Sequence, residues 1–275
     1  MYSPVVLITG ASTGIGLASA QAFAAAGWTV LAASRTPERL AAAAGIRAVL
    51  LDPCSASQRA EMVALLQQEY GGRLDCLVNN AGYAQSGPVE LLDEQGWRAQ
   101  MEVNLIAPAL LTAALLPALR LARGSVINIS SILGRSGYAW QGAYCASKFG
   151  LEGWSEALML ETQGQGVRVH LIEPGSTASD FDGHMQRIAS LPPLYQAAGT
   201  RFASLRLRLA GRAQPAGKVA AVIVRTATRR RAPFRQQVGL DARAAGWLMA
   251  CLPASWYNGL NRLLARRLFG LGGER

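Results

Sequence analysis

Tyr144 and Lys148 stand four residues apart in the run G-A-Y-C-A-S-K-F-G, Gly142 to Gly150, which reads as helix. An (i, i+4) pair shares one helix face, so the ammonium can lie beside the phenol. A free phenol titrates near about 10, too high to exchange protons readily at neutral pH. A fixed positive charge nearby favours phenolate and brings it toward the working range. The pair is a candidate acid–base centre; the alternative is a chance pair on a structural helix.

Other residues able to do chemistry fall at the ends of apolar runs. Val5-Val6-Leu7-Ile8 is continuous and β-branched, as expected of a buried parallel strand. It enters Thr9-Gly10-Ala11-Ser12-Thr13-Gly14-Ile15-Gly16, and a helical pattern follows from Leu17 to Ala26. The G-x-x-x-G-x-G spacing permits a tight turn, lets a phosphate approach the backbone, and offers it free helix N–H groups. Strand before and helix after is the context such a turn requires. Thr29 to Ala33 forms the second strand, followed by Ser34-Arg35-Thr36. A carboxylate there would bind a ribose 2′-hydroxyl, whereas Arg35 suits a 2′-phosphate, so NADP(H) is expected over NAD(H).

Ala48 to Leu51 reads as the third strand and ends at Asp52, which can accept from adenine or cap the next helix, about Ser57 to Tyr70. The fourth strand, Cys76-Leu77-Val78, runs into Asn79-Asn80-Ala81-Gly82, suited to backbone contact with a cofactor or to an ordinary turn. A long helix, about Glu90 to Leu121, is expected to be interrupted near Pro108 and Pro117. Within it Asn104 is polar among apolar neighbours and disfavoured by propensity, which implies a role there or a hydrogen-bonded core amide. Ser125 to Ile129, ending at Ser130-Ser131, is the fifth strand, and Val167 to Ile172, ending at Glu173-Pro174-Gly175, is the sixth. Strands alternating with helices predict an α/β fold with a doubly wound parallel sheet, whose ligands bind beyond the C-terminal strand ends. The glycine turn, Arg35, Asp52, Asn80, Ser131 and Pro174-Gly175 all fall there.

T-G-A-S-T-G-I-G, N-N-A-G, Ser131, Y-C-A-S-K and Pro174-Gly175, in this order, make the chain resemble the short-chain dehydrogenase/reductase family over roughly residues 4–180. The resemblance implies a single Rossmann-type domain with about seven strands, no metal, and hydride transfer between a nicotinamide and a carbonyl or alcohol. It implies Tyr144 as general acid/base, Lys148 lowering its pKa and bonding the nicotinamide ribose, and Ser131 holding the substrate oxygen. Asn104 would support a water-mediated relay to Lys148. The implied cofactor contacts are Gly10, Ser12, Thr13, Gly14, Ile15, Gly16, Ser34, Arg35, Asp52, Asn80, Ala81, Gly82, Asn104, Tyr144, Lys148, Pro174, Gly175, Thr177 and Ser179. Two departures stand out: Ser179 where a threonine is usual, and Pro53 after Asp52, which removes a backbone N–H.

The 275 residues fit one large domain and are 51% hydrophobic, which argues against disorder. It divides into a Rossmann core, 1–180, a substrate lid, 181–217, and a basic helical extension, 218–275. Cys54, Cys76, Cys145 and Cys251 lack metal or redox spacing and read as free buried thiols. No secretory signal pattern opens the chain, and a cytoplasmic homo-oligomer is expected. The lid reads as irregular; its Phe181, Met185, Ile188, Leu191, Leu194 and Tyr195 suit either an apolar pocket for a lipophilic substrate or the core of two short helices.

Residues 1–200 hold 12 Lys/Arg against 15 Asp/Glu, and residues 201–275 hold 15 against 2. That asymmetry points to an anionic partner or to a solvated basic surface. A helix is expected over Lys218–Thr228, then an apolar run over Ala244–Leu252, too short to span a bilayer. Ser255 to Phe269 mixes Trp256, Leu260, Leu263, Leu264 and Leu268 with Arg262, Arg266 and Arg267. This suits an interfacial amphipathic helix with peripheral membrane contact, or a helix packed on the domain or across a dimer. Without interleaved stacking residues, nucleic acid is not an expected partner. An NADP-binding sensor or scaffold that kept the fold without turnover is the alternative to an enzyme.

Overall fold

The computed structural model describes residues 3–40, 45–179, 181 and 183–270. Seven parallel strands form one sheet: β1 Val5–Thr9, β2 Thr29–Ser34, β3 Ile46–Leu50, β4 Cys76–Asn79, β5 Ser125–Ile129, β6 Arg168–Pro174 and β7 Arg235–Val238. Their order is β3-β2-β1-β4-β5-β6-β7, with the direction of growth reversing beside β1. The register pairs Val6 with Val30 on one side and with Cys76 on the other. Side chains alternate across the pleat, so β1 feeds two cores. Val5 and Leu7 join Leu31, Leu77, Leu111, Leu115 and Leu119 on one face. Val6 and Ile8 join Phe23, Val30, Val78, Val219 and Ile223 on the other. Each such leucine or isoleucine contributes about 1.5–3 kcal/mol on burial.

Nine helices are described: α1 Gly14–Ala25, α2 Ala56–Glu69, α3 Glu94–Met101, α4 Ala107–Ala122, α5 Gly142–Glu161, α6 Pro193–Ala210, α7 Ala216–Thr228, α8 Leu240–Cys251 and α9 Ala254–Phe269. Leu111, Leu115 and Leu119 recur every four residues on α4, and that stripe faces the sheet. Between α3 and α4 the chain makes a π-helical turn over Glu102–Ile106. Pro108 cannot donate back to the Asn104 carbonyl, so the interruption lies just ahead of it. Pro117, by contrast, sits inside α4 without ending it. It and Ala113, whose carbonyl it leaves without a donor, are exposed, so water can serve that carbonyl. The continuous run Glu94–Ala122 is long and apolar enough to cross a membrane, but its leucine stripe is part of the core.

Several elements differ from their sequence expectations. Helix α1 begins at Gly14 rather than Leu17, so the last glycines of the turn are its first residues. The segment 181–217, expected to be irregular, contains the 18-residue helix α6. Strand β7 is short and rich in polar residues (R-Q-Q-V), and apolar patterning gives no sign of it. Cys76 and Cys145 are buried free thiols as expected, but Cys251 is exposed and Cys54 half-buried. Helix α9 packs on the domain by one face: Phe269 lies against Tyr138 and Phe202, and Tyr257 Oη donates to Ser136 Oγ at 2.7 Å. Its Trp256 stays 70% exposed. The last five residues of the basic extension lie outside the described residues.

Candidate active site

The turn from β1 into α1 is a cradle shaped by glycine. Gly10 has φ +64°, in the left-handed region, and a Cβ there would stand 2.9 Å from Ala81 Cα. A Cβ on Gly16 would stand 2.2 Å from the Gly10 carbonyl oxygen. Thr13 precedes α1 without a side-chain cap, and the first turn carries no acidic residue. Its N–H groups and positive dipole end are therefore suited to a phosphate. Asn80 braces the turn from β4, its Nδ2 donating to the carbonyls of Thr9 at 2.9 Å and Gly10 at 3.1 Å. Thr9 Oγ1 accepts from the Asn80 and Ala81 N–H groups, both at 3.0 Å. Asn79 turns inward and donates to Thr112 and Asn128, a structural contact.

At the end of β2, Ser34 is buried and accepts from the Thr36 N–H, while Arg35 is exposed. Asp52 accepts from the Cys54 N–H at 3.0 Å, and its own N–H donates to Gln58. The cap of α2 is Ser55, not Asp52. Arg35 lies close enough to Cys54 for its charge to act on the thiol, so β2 and β3 present their ends together.

The remaining candidates meet at the C-terminal ends of β4, β5 and β6. Tyr144 and Ser131 line one cavity of about 340 Å³ with Asn80, Gly82, Lys148 and the Pro174-Gly175 turn. The Tyr144 phenol is 6% exposed and its ring meets Phe181 edge-on, 5.7 Å between centroids. Burial pushes it up to about 12, and the Ser131 hydroxyl and the Arg206 charge only partly oppose that. This is opposite to the expectation from the Tyr144–Lys148 pair. Lys148 Nζ donates to the Ile129 carbonyl at 2.8 Å and stands 5.8 Å from the tyrosine ring centroid. Burial draws the ammonium down to about 8, with Glu152 opposing. In the free site, then, burial makes the phenol a weaker acid than free tyrosine and weakens the hold of Lys148 on its own proton.

Asn104 occupies the π-helical turn and is 1% exposed. Its amide is an organiser: Nδ2 donates to the Tyr83 carbonyl and Ser147 Oγ, and Oδ1 accepts from the Tyr83 N–H. A Cβ on Gly82 would come 3.1 Å from Asn104 Oδ1 and 3.8 Å from Lys148 Nζ, so glycine leaves that approach open. Thr177 Oγ1 donates to the Gly175 carbonyl at 3.0 Å. Ser179 lies over the glycine turn, its Cβ 2.9 Å from where a Gly14 Cβ would be.

Sequence patterning missed two groups at this site. Asp241, in the first turn of α8, accepts from the Ser176 N–H at 2.7 Å and sits against Gly175, where a Cβ would stand 2.0 Å from its carboxylate. The strand before it carries no apolar pattern, so nothing in the local sequence marks this acid. Arg206 of α6 lines the cavity from a segment noted only for apolar residues. Of those apolar residues, Phe181 lines the cavity, Met185 is buried beside Tyr144, and Leu194 is 80% exposed. Among the described residues no group of three His, Cys, Asp or Glu side chains could hold a metal. The glycine cradle, the uncapped α1 and the Pro174-Gly175 turn fit a nicotinamide dinucleotide.

The family model for short chain dehydrogenase matches residues 4–187. A 3-ketodihydrosphingosine reductase of Bacteroides thetaiotaomicron is 35% identical over 259 residues, covering 90% of this chain and 94% of that protein. Human retinol dehydrogenase 5 is 36% identical, covering 91% of this chain and 85% of that protein. A short-chain dehydrogenase from Streptomyces avermitilis has a TM-score of 0.79 at 31% identity, over 99% of this chain and 98% of its own. Two structures at 23% identity share the fold. One is a Burkholderia cenocepacia protein with NADP (TM-score 0.75, 98% of each chain); the other is a Burkholderia phymatum protein with NAD (TM-score 0.77, 90% of this chain and 94% of its own). Since the match takes in the cradle, the tyrosine helix and the Pro-Gly turn together, the chain belongs to the short-chain dehydrogenases, oxidoreductases of carbonyls and alcohols that use a nicotinamide cofactor.

Proposed function

We propose that this chain is an NADPH-dependent reductase of a lipophilic ketone or aldehyde. The observation that carries this is the buried Tyr144 phenol beside Ser131 and Lys148 in the cavity reached by the glycine cradle and the Pro174-Gly175 turn. When bound, the cofactor supplies the hydride. Tyr144 donates its proton to the substrate oxygen as negative charge develops there, and Ser131 holds that oxygen by a hydrogen bond. Lys148 keeps a positive charge under the site and binds the nicotinamide ribose, while Asn104 orders the route by which a proton returns. Gly10, Gly14 and Gly16, with the Ser12, Thr13 and Ile15 backbone, cradle the pyrophosphate. Asp52 and Gly82 frame the adenosine and nicotinamide halves, and Thr177 and Ser179 close over them.

Preference for NADPH rests on Arg35, an exposed cation at the end of β2 with no carboxylate beside it in sequence. A lipophilic substrate is supported by Ile15, Leu133, Phe181 and Leu209 in the cavity lining, and by the sphingoid and retinoid names of the relatives. We read the protein as cytoplasmic and as a homo-oligomer; the oligomer is supported by exposed Ile106, Leu110, Phe149 and Leu160 on the π turn, α4 and α5. The exposed Trp256, Leu263 and Leu264 among arginines on α9 support contact with an anionic membrane surface.

Fluorescence titration with NADPH and NADH on the wild type and Arg35→Asp, followed by a screen of long-chain ketones and retinoid aldehydes, tests this reading. The expected result is tight NADPH binding that weakens at least about tenfold in the variant while NADH gains. NADPH consumption with an apolar ketone is expected too. Equal affinities unchanged by the substitution remove the NADPH assignment. Binding without turnover on any carbonyl favours the sensor.

A further inference from the structure

Helix α5 carries more than the tyrosine and lysine on its inner face. Tyr144, Lys148, Glu152 and Glu156 follow at successive four-residue steps, so all four lie in one column. The first three are 5–6% exposed, whereas the Glu156 side chain is 53% exposed, so the column runs from the cavity to solvent. A buried carboxylate is costly unless it is paired. Glu152 is paired from another element: Arg235 Nε on β7 donates to its Oε2 at 3.0 Å, and Arg235 Nη2 donates to Glu156 at 2.9 Å. Glu173, fully buried on β6, stands 3.7 Å from the same Arg235 Nε, accepts from Gln237 at 2.8 Å, and has Arg135 at 3.9 Å. The fourth wall is the turn after β5. A Cβ on Gly134 would stand 2.7 Å from Ser130 Oγ, 3.1 Å from Glu152 Cγ and 3.2 Å from the Lys148 carbonyl, so only glycine lets the turn close over the column.

We propose that Glu152 is a positioning residue of this enzyme, its buried carboxylate, anchored by Arg235, keeping Lys148 in the ammonium form behind Tyr144. The proposal rests on the reductase reading only for its consequence, not for the interaction itself. Around Lys148 the other groups are Tyr144, the Ser131 hydroxyl, the Ile129 carbonyl and the Asn104 amide, and none of them is an anion at neutral pH. Around Glu152 they are Arg235, Glu173, Arg135, Glu156 and Ser130; Glu94 and Arg98 of α3 pair with each other at the surface. Burial works against the lysine charge and Glu152 works for it. Burial and Glu173 push the Glu152 carboxyl up, while Ser130 and Arg235 hold it down. The lysine charge therefore depends on Glu152, and the Glu152 carboxylate depends on Arg235, from a strand distant in sequence.

The chain contains two lysines, Lys148 and Lys218, so lysine-labelled protein gives a spectrum in which each can be followed separately. Lys218 is exposed and serves as the internal control. In cofactor-free wild type the Lys148 midpoint is expected at about 8. In Glu152→Gln it should fall by about one pH unit, the size expected from losing a nearby opposite charge. Glu152→Asp, which keeps the carboxylate, should restore most of it, and the alkaline limb of cofactor binding should move with the midpoint. An unchanged or raised midpoint in a folded Glu152→Gln variant overturns the proposal. Should that variant not fold, the wild type decides through its acid range: the Lys148 signal must step where glutamate-labelled Glu152 titrates, and no step overturns the proposal. These titrations need no substrate. A protein that shows the shift yet reduces no carbonyl would sink the reductase reading and leave this one standing.

Discussion

At the scale of single residues, burial shifts the phenol and the ammonium in opposite directions. An ordinary phenol is already neutral at physiological pH; burial makes Tyr144 hold its proton more firmly still, and it can give a proton only while it stays protonated. Tyr144→Phe removes that proton and little volume. Turnover should fall by about 10²–10⁴-fold, the usual worth of a positioned acid. Cofactor affinity and melting temperature should stay close to wild type, since no described residue hydrogen-bonds solely to that hydroxyl for its packing. Steady-state kinetics beside a fluorescence titration check this; retained turnover would remove Tyr144 from the reaction. Ser131, whose Oγ also accepts from the Leu133 N–H at 3.2 Å, is held by its own turn rather than by the tyrosine.

At the scale of elements, the candidate groups are delivered by strand ends, by α5 and by the π-helical turn ahead of α4, and some strands carry polar groups inward at a cost. On β6, His170 is 4% exposed, with Nδ1 3.0 Å from the Pro233 carbonyl and Nε2 buried. A carbonyl accepts, so Nδ1 carries the proton of the neutral ring. Burial lowers the imidazole below its ordinary value, with Arg168 adding to that and the Pro233 bond opposing it. Between the lowered folded value and the unfolded value near about 6.5, the unfolded chain binds more protons, so stability falls as pH drops through that window. The wild-type urea midpoint should therefore be lower at about pH 5.5 than at about pH 7.5 by more than that of His170→Asn, which keeps an N–H donor without titrating. Equal slopes in the two proteins would mean that this histidine does not titrate on unfolding.

At the scale of the whole molecule, the two ends of the chain behave differently. The sheet is closed on both faces by apolar stripes, while the last quarter, with 15 Lys/Arg against 2 Asp/Glu, combines a strong positive charge with exposed large side chains, Trp247 at 67% and Trp256 at 70%. Helix α9 spends its inner face on α6 and the Tyr138 segment, which leaves Trp256 and Leu263 to solvent or to a partner. The double variant Trp256→Ser, Leu263→Ser should keep its melting temperature, because neither side chain supports the core. Its flotation with vesicles rich in anionic lipid should fall by roughly tenfold, and raised salt should weaken the wild type, as each arginine near the surface contributes about 1 kcal/mol. Flotation that is absent in the wild type, or unaffected by the variant, argues that this face meets protein or water.

The sequence by itself determined the six apolar strands, the glycine turn between β1 and α1, and the helix that holds Tyr144 and Lys148 together. These are local matters: period, turn chemistry and four-residue spacing are written in neighbouring residues. It determined less at the sheet edge, where β7 reads R-Q-Q-V and forms because β6 offers it a ladder from Leu171 to Pro174. It also could not reveal that Arg235 on that strand would meet Glu152, 83 residues earlier, or that Arg206 would enter the cavity from α6. Nor could spacing decide the sign of the tyrosine shift. Helix geometry brings Lys148 near the phenol, but only the folded chain determines how much water is removed from it, and burial is the largest influence on that phenol. Proximity along a helix is encoded locally; desolvation and partners across the sheet are properties of the tertiary structure.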